Sequence, residues 1–188
     1  MKCDVVIIGA GPAGLFAAYE LLEKKPELNI TILDRGKKVE NRFCPMNKNN
    51  TKCLNCNPCA ILSGYGGAGT FSDGKLNFIP KLGKSDLFKY MSESEAENLI
   101  DETELIFNKF NMNSDIYPSN MEEALKIKKK VAIEGSRLLL IKQKHLGSDN
   151  LPKYINDITD YLENKGELES AGGIEYIATL AVTVMGKQ

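Results

Sequence analysis

The chain has 188 residues, 43% of them hydrophobic, and its 24 basic and 25 acidic side chains leave a net charge of −1. That length suits one domain, or one and part of a second, and the apolar share excludes wholesale disorder. The charge balance offers no broad cationic footprint for nucleic acid, and the sequence has no run of about 18 apolar residues to span a membrane.

Val5-Val6-Ile7-Ile8 is a short β-branched run that reads as a strand. It ends at Gly9-Ala10-Gly11-Pro12-Ala13-Gly14, and Leu15 to Leu22 follows, rich in helix formers. The N-terminus has no long apolar stretch or small-residue cleavage site, so no secretory signal is read and a cytoplasmic location is expected. Lys25-Pro26 stops the helix, and Ile30 to Asp34 reads as a second strand. Strand, glycine turn, helix and strand together predict a βαβ unit with a parallel pair. Residues 36–83 read as a long functional loop with little regular structure. Helix returns at Ser92, which forms a capping box with Glu95; Leu99, Ile100, Leu105, Ile106 and Phe110 form its expected apolar face. A second helix is expected over Met121–Glu134, a strand over Leu138–Ile141, and a helix over Leu151–Lys165. Tyr154, Ile155, Ile158, Tyr161 and Leu162 share one face of that last helix, which Gly166 closes. The apolar tail Ile174–Met185 reads as one or two strands.

The glycine turn carries the chemistry. A lone G-x-G-x-x-G is weak, but this one follows a strand, opens a helix, and has Asp34 twenty positions after Gly14. Gly9 permits the tight turn, Gly11 lets a pyrophosphate approach the backbone, and Gly14 lets the helix pack on the strand. The open amides and dipole end of the helix face the phosphates, and Asp34 accepts from ribose hydroxyls, which disfavours a 2′-phosphate. Pro12 and Ala13 fit FAD and NAD equally, so the turn leaves that choice open.

Cys44, Cys53, Cys56 and Cys59 are spaced C-x8-C-x2-C-x2-C. The spacing allows a tetrahedral zinc site, an iron–sulfur cluster, a thiol–disulfide pair exchanging electrons with a flavin, or plain reduced thiols. Cys3 is read as structural. The basic run Lys126–Lys130, interrupted by Ile127, lies on a helix with Glu122, Glu123 and Glu134 and is read as a solvated face.

Two segments carry a family resemblance. Val5–Gly14 with Asp34-Arg35-Gly36 is similar to the N-terminus of flavoproteins with two dinucleotide-binding domains. The cysteine segment followed by Gly64-Tyr65-Gly66-Gly67-Ala68-Gly69-Thr70-Phe71-Ser72-Asp73-Gly74-Lys75-Leu76 resembles the bacterial FAD-dependent dehydrogenases, or NAD(P)/FAD-dependent oxidoreductases. His145-Leu146-Gly147-Ser148-Asp149-Asn150-Leu151 resembles a later segment of that family, and the likeness runs over roughly residues 1–166. The resemblance implies a bound FAD, redox chemistry on a small-molecule substrate or electron donor, and NAD(P)H as a possible co-substrate. It implies neither substrate nor oligomeric state. Members of that family are longer and return to the flavin near their C-terminus. The tail after Glu167 does not match them, so an N-terminal or shortened part is expected.

Around Gly66, Gly67, Ala68, Gly69 and Thr70 the backbone can approach a flavin or pyrophosphate closely, and consecutive amides can form an anion nest. Ser72 would line the same ligand. Lys75 is a candidate for stabilising a reduced flavin, and the single histidine, His145, a weak substrate-side or flavin-side candidate. The expected fold is α/β: a Rossmann-type FAD-binding segment with the Cys/Gly-rich loop over residues 1–83, then a partial α+β insertion and return strands over 84–188.

Overall fold

The computed structural model describes residues 3–147, 149–165 and 170–172. It is a mixed α/β chain with parallel strands, divided into two compact units: residues 1–72 with 148–188, and residues 73–147.

In the first unit, strand β1 (Val5–Ile8) and strand β2 (Ile30–Asp34) pair in parallel, Val5 opposite Ile30 through Ile8 opposite Leu33. Helix α1 (Pro12–Lys24) connects them. It begins three residues earlier than the composition suggested, because proline is well suited to a first helical position. Leu15, Ala18, Tyr19 and Leu22 recur at helical spacing and are buried, as are Ile30 and Ile32 of β2. Each large side chain removed from water contributes about 2 kcal/mol. The helix closes when Lys25 donates its amide to the Leu21 carbonyl, just before Pro26.

The chain later returns to this unit. Helix α2 (Leu151–Lys165) buries Leu151, Ile155, Ile158 and Leu162, with Tyr154 and Tyr161 half-buried, and packs on α1. The Tyr19 and Tyr161 ring centroids lie 5.8 Å apart, and Glu23 accepts from both the Tyr161 hydroxyl and the Lys165 ammonium. Strand β3 (Ser170–Gly172) pairs in parallel with the free side of β2, Ile32 opposite Ser170 and Asp34 opposite Gly172. The sheet order is therefore β1-β2-β3. Expectations for Gly166 and the tail strands over Ile174–Met185 lie outside the described residues.

The second unit holds a three-stranded antiparallel sheet. Strand β4 (Lys75–Asn77) and strand β5 (Ile116–Tyr117) flank strand β6 (Gln143–His145). Lys81–Leu82 and Ser85–Asp86 form a small hairpin. Helix α3 (Glu93–Lys109) starts with the expected capping box: Glu95 donates its amide to the Ser92 hydroxyl and its carboxylate accepts from the Ser92 amide. Helix α4 (Met121–Ile133) is capped by Asn120, whose side chain accepts from the Glu123 amide. Phe78 meets Phe107 edge-on at 6.4 Å, with Ala96, Phe110, Met112, Ala124 and Leu146 buried in the same unit.

The structure departs from the sequence reading in four places. The strand expected over Leu138–Ile141 is not formed, and Leu139 is half exposed; the chain pairs instead at Gln143–His145, where two partner strands await it. Leu99 and Leu105 of α3 face outward, while Ala96 and Glu104 are buried. The stretch 36–83 contains a short helix over Pro45–Asn49, 3-10 turns over Val39–Asn41 and Gly67–Phe71, and β4. The units differ from a linear split at residue 83, because α2 and β3 rejoin the sheet of the first unit. Among the described residues no helix is long and apolar enough to cross a membrane.

Candidate functional site

A cleft of about 340 Å³ opens in the first unit at the end of β1. Ile8, Leu33 and Leu62 form apolar walls, Gly9, Gly64 and Gly67 supply bare backbone, and Asp34, Arg35 and Ser63 supply polar groups. Ile8 and Leu62 are each about 60% exposed. Exposed apolar side chains lining a cleft suit a flat ring lying against them.

The three glycines of the turn do different things. Gly9 has φ +101°, a left-handed conformation that a side chain disfavours. A Cβ on Gly14 would lie 1.9 Å from the Gly9 carbonyl oxygen, so only glycine lets α1 approach β1 this closely. Gly11 has neither constraint: its φ is −73°, and a Cβ there would meet nothing within 4 Å. It caps α1 without any side-chain hydrogen bond. The amides of Gly11, Ala13 and Gly14 are first-turn donors with no intrahelical acceptor, whereas Pro12 has no amide to offer.

Asp34 faces the turn. One carboxylate oxygen accepts from the Ala10 amide at 2.8 Å and the other from the Gly36 amide at 2.7 Å. The acid thus ties the end of β2 to the glycine turn, and each oxygen keeps a second lone pair for a ligand hydroxyl. Arg35 reaches along the cleft, its Nε donating to the Ser63 hydroxyl at 3.0 Å.

The second glycine cluster lies against the first. The Gly66 amide donates to the Ala10 carbonyl at 2.8 Å, and a Cβ on Gly67 would contact Gly11 Cα at 3.5 Å and Pro12 Cδ at 3.6 Å. Gly66 and Gly67 both have positive φ. A Cβ on Gly66 would collide with the Thr70 hydroxyl oxygen at 2.2 Å and with Ile155 of α2. Gly69, like Gly11, would hold a Cβ in open space.

Arg42, which the sequence reading did not single out, organises this loop. The residue is 4% exposed. Its guanidinium donates to the carbonyls of Ala60, Ile61, Tyr65 and Gly67 and to the Thr70 hydroxyl, and it lies 4.7 Å from the centroid of the Phe71 ring. Burial lowers its pKa from the ordinary arginine value, against the pull of Asp34 and Cys59. Thr70 donates back to the Tyr65 or Gly67 carbonyl, so of the expected ligand groups it serves the loop itself.

The cysteines are not gathered. All five are free thiols: Cys3, Cys53 and Cys56 exposed, Cys44 and Cys59 half-buried. Among the described residues no group of three or more His, Cys, Asp or Glu side chains is placed to hold a metal ion. Cys59 instead closes a turn, its carbonyl accepting from the Leu62 and Ser63 amides that lead into the cleft.

Lys75 and His145 lie in the second unit, directly opposite each other in the β4–β6 pairing. Lys75 is half exposed and pairs with Asp73 at 3.0 Å, a contact that holds the Asp73 carboxyl below its usual range. The basic run on α4 is exposed throughout. The buried charges of this unit are elsewhere: Lys144, with a side chain 4% exposed, reaches Asn108 and lies 3.1 Å from Glu104, which also pairs with Lys142.

Residues 1–39 match the Thi4 family. Curated relatives that align here are thiamine thiazole synthases. That of Coprinopsis cinerea is 58% identical over 33 residues, 18% of this chain and 10% of the relative. Those of Phaeosphaeria nodorum and Yarrowia lipolytica are each 54% identical over 35 residues, 19% of this chain and 11% of the relative. The aligned stretch is thus about a tenth of each relative's length. The family match over residues 1–39 contains β1, the glycine turn, α1, β2 and Asp34. It stops before Cys44 and the second glycine cluster, so it reaches only part of the resemblance to bacterial dehydrogenases and points at its N-terminal end to thiazole synthases.

Proposed function

We propose that the first unit is a Rossmann-type dinucleotide site for FAD, and that the chain belongs to a flavin-dependent oxidoreductase. The observation that carries this reading is Gly11. Neither backbone strain nor crowding within the protein calls for glycine there, whereas a diphosphate approaching the open amides of α1 does. The match of residues 1–39 to a family related to FAD-binding flavoproteins supports it.

In this reading the amides of Gly11, Ala13 and Gly14 hold the diphosphate, and Asp34 accepts from the ribose. Ile8 and Leu62 enclose the adenine beside Arg35. Gly66, Gly67, Ala68, Gly69 and Ser72 lie toward the flavin half, where the open Cβ position of Gly69 leaves room. When bound, FAD supplies the electron-carrying ring; the residues named here bind and orient it. The cell compartment is the cytoplasm, where the free thiols stay reduced. The substrate is a small molecule whose class these residues do not select.

The test is the visible spectrum of the purified protein with titrations of FAD, ADP and NADH. Flavin bands, or saturable uptake of FAD, are expected. Uptake of NADH with none of FAD favours an NAD-binding domain instead, and uptake of none of the three removes the reading.

A further inference from the structure

We infer that Arg42 is a positioning residue for the diphosphate: buried behind the glycine loop, it turns that loop's carbonyls inward and lends the cleft its fixed positive charge. The inference rests on the dinucleotide reading above and adds a residue that does not touch the ligand.

The geometry begins with donor accounting. A guanidinium has five N–H donors. Nε serves Ala60; Nη1 serves Tyr65 and Thr70; Nη2 serves Ile61 and Gly67. All five are spent within the protein, so none is left for a ligand. Four of the acceptors are main-chain carbonyls and none is a carboxylate. The charge is therefore solvated by the loop, with no carboxylate hydrogen-bonded to it, although Asp34 is near enough to attract it.

The position follows from the peptide plane. A trans peptide directs its C=O and N–H to opposite sides. With the Tyr65 carbonyl drawn onto Arg42, the Gly66 amide points away, and it reaches the Ala10 carbonyl of the first glycine turn. With the Gly67 carbonyl drawn inward, the Ala68 amide is likewise turned from the guanidinium. The Gly66 and Gly67 amides are held by the Ala10 and Gly64 carbonyls, so it is the Ala68 amide that the pull on Gly67 turns away from the guanidinium, and the carbonyls behind it are capped by a cation that polarises them further. The arginine stem lies directly beneath the cleft: a Cβ on Gly64 would meet Arg42 Cδ at 2.9 Å, and Gly64 and Gly67 both line the cleft.

A cation held in low dielectric beside such a cleft favours anions. It does so without a hydrogen bond that a neutral ligand would share. Its effect therefore falls on the phosphates and spares the nucleoside, which separates a charge role from a packing role.

The experiment compares ADP with adenosine on the full chain, in the wild type and in Arg42→Lys and Arg42→Gln, with circular dichroism to confirm folding. Wild type is expected to prefer ADP. Arg42→Gln, which keeps some of the donors and no charge, is expected to lose about tenfold or more of that preference while its adenosine affinity stays within about threefold. Arg42→Lys, which keeps the charge and three of the five donors, is expected to hold the preference within about threefold of wild type because the charge sets it. Should the glutamine variant not fold, the lysine variant decides: a collapsed preference in a folded Arg42→Lys overturns the inference. Equal losses for ADP and adenosine in either folded variant also overturn it, since they mark a structural role alone. A wild type that binds neither probe instead overturns the dinucleotide reading beneath it.

Discussion

Two glycines three residues apart separate folding from binding at the scale of single atoms. Gly14 is required by the protein: a methyl group there would sit 1.9 Å from the Gly9 carbonyl oxygen, an overlap that only a shift of α1 relieves. Gly14→Ala is therefore expected to lose about 3 kcal/mol or more, at the upper end of what overpacking costs, and a urea melt reads this directly. Gly11 is required by nothing within the protein. Its extended conformation accepts alanine; the gain of about 0.4–1 kcal/mol through the unfolded chain is offset by alanine's poorer fit to the N-cap position that Gly11 occupies. Gly11→Ala is accordingly expected to stay within about 1 kcal/mol of wild-type stability while its ADP affinity falls about tenfold or more, because the new methyl occupies the space a diphosphate needs. A folded Gly11→Ala with wild-type ADP affinity would place any ligand elsewhere.

Among the elements, those legible in the sequence are those fixed by neighbours along the chain. The β-branched run, the glycine turn and the helix formers specify β1 and α1 locally, and the Ser92–Glu95 box marks the start of α3 within four residues. What was illegible depends on distant partners. The residues of β6 (Gln143–His145) are polar and look like loop, but β4 and β5 lie on either side of them; the apolar Leu138–Ile141 looks like strand and finds no partner. Arg42 sits among charged residues that read as surface, and only the carbonyls of residues 60–67 make it a buried hub. Glu104 was hidden in the same way on a helix of acidic character. Burial alone would raise its pKa, but hydrogen bonds from Lys142 and Lys144 outweigh that and hold the carboxyl below its ordinary value. The bond to Glu104, aided by Asp101, raises Lys142. A depressed carboxyl stabilises fully above the unfolded value of about 4.3 and loses that contribution as pH falls through the lower folded value. A raised lysine stabilises fully below about 10.4 and loses its share as pH rises through the folded value. The stability gap between wild type and Glu104→Gln, measured by urea melts, is therefore expected to stay level from about pH 5 to 10 and to close in acid. Glu104→Ala, which strands the buried Lys144, is expected to cost about 3 kcal/mol at neutral pH. A gap that widens in acid contradicts the assignment.

At the scale of the whole chain, the second unit is inserted into the first: residues 73–147 leave after the second glycine cluster, and α2 and β3 then complete the sheet and its helical cover. Every residue lining the proposed dinucleotide cleft belongs to the first unit, so the chain offers two bodies of which one is assigned to the cofactor. Ligand binding stabilises only the state that binds, by about 2.7 kcal/mol at a hundredfold excess over Kd. If the assignment holds, that energy appears in the amides of the first unit. Hydrogen exchange with saturating ADP is expected to slow in peptides covering residues 5–36 and 60–72, with the largest change at the glycine turn. Peptides within 75–145 are expected to exchange as in the unliganded protein, apart from any common contribution of global unfolding, which denaturant dependence separates. Slowing centred on the second unit would move the ligand from the α1 turn to the second unit's own cleft, lined by Glu104, Asn108 and Lys144 among others. The Gly11 argument would then fail with it, because the N-cap preference for glycine would be the remaining reason for the residue.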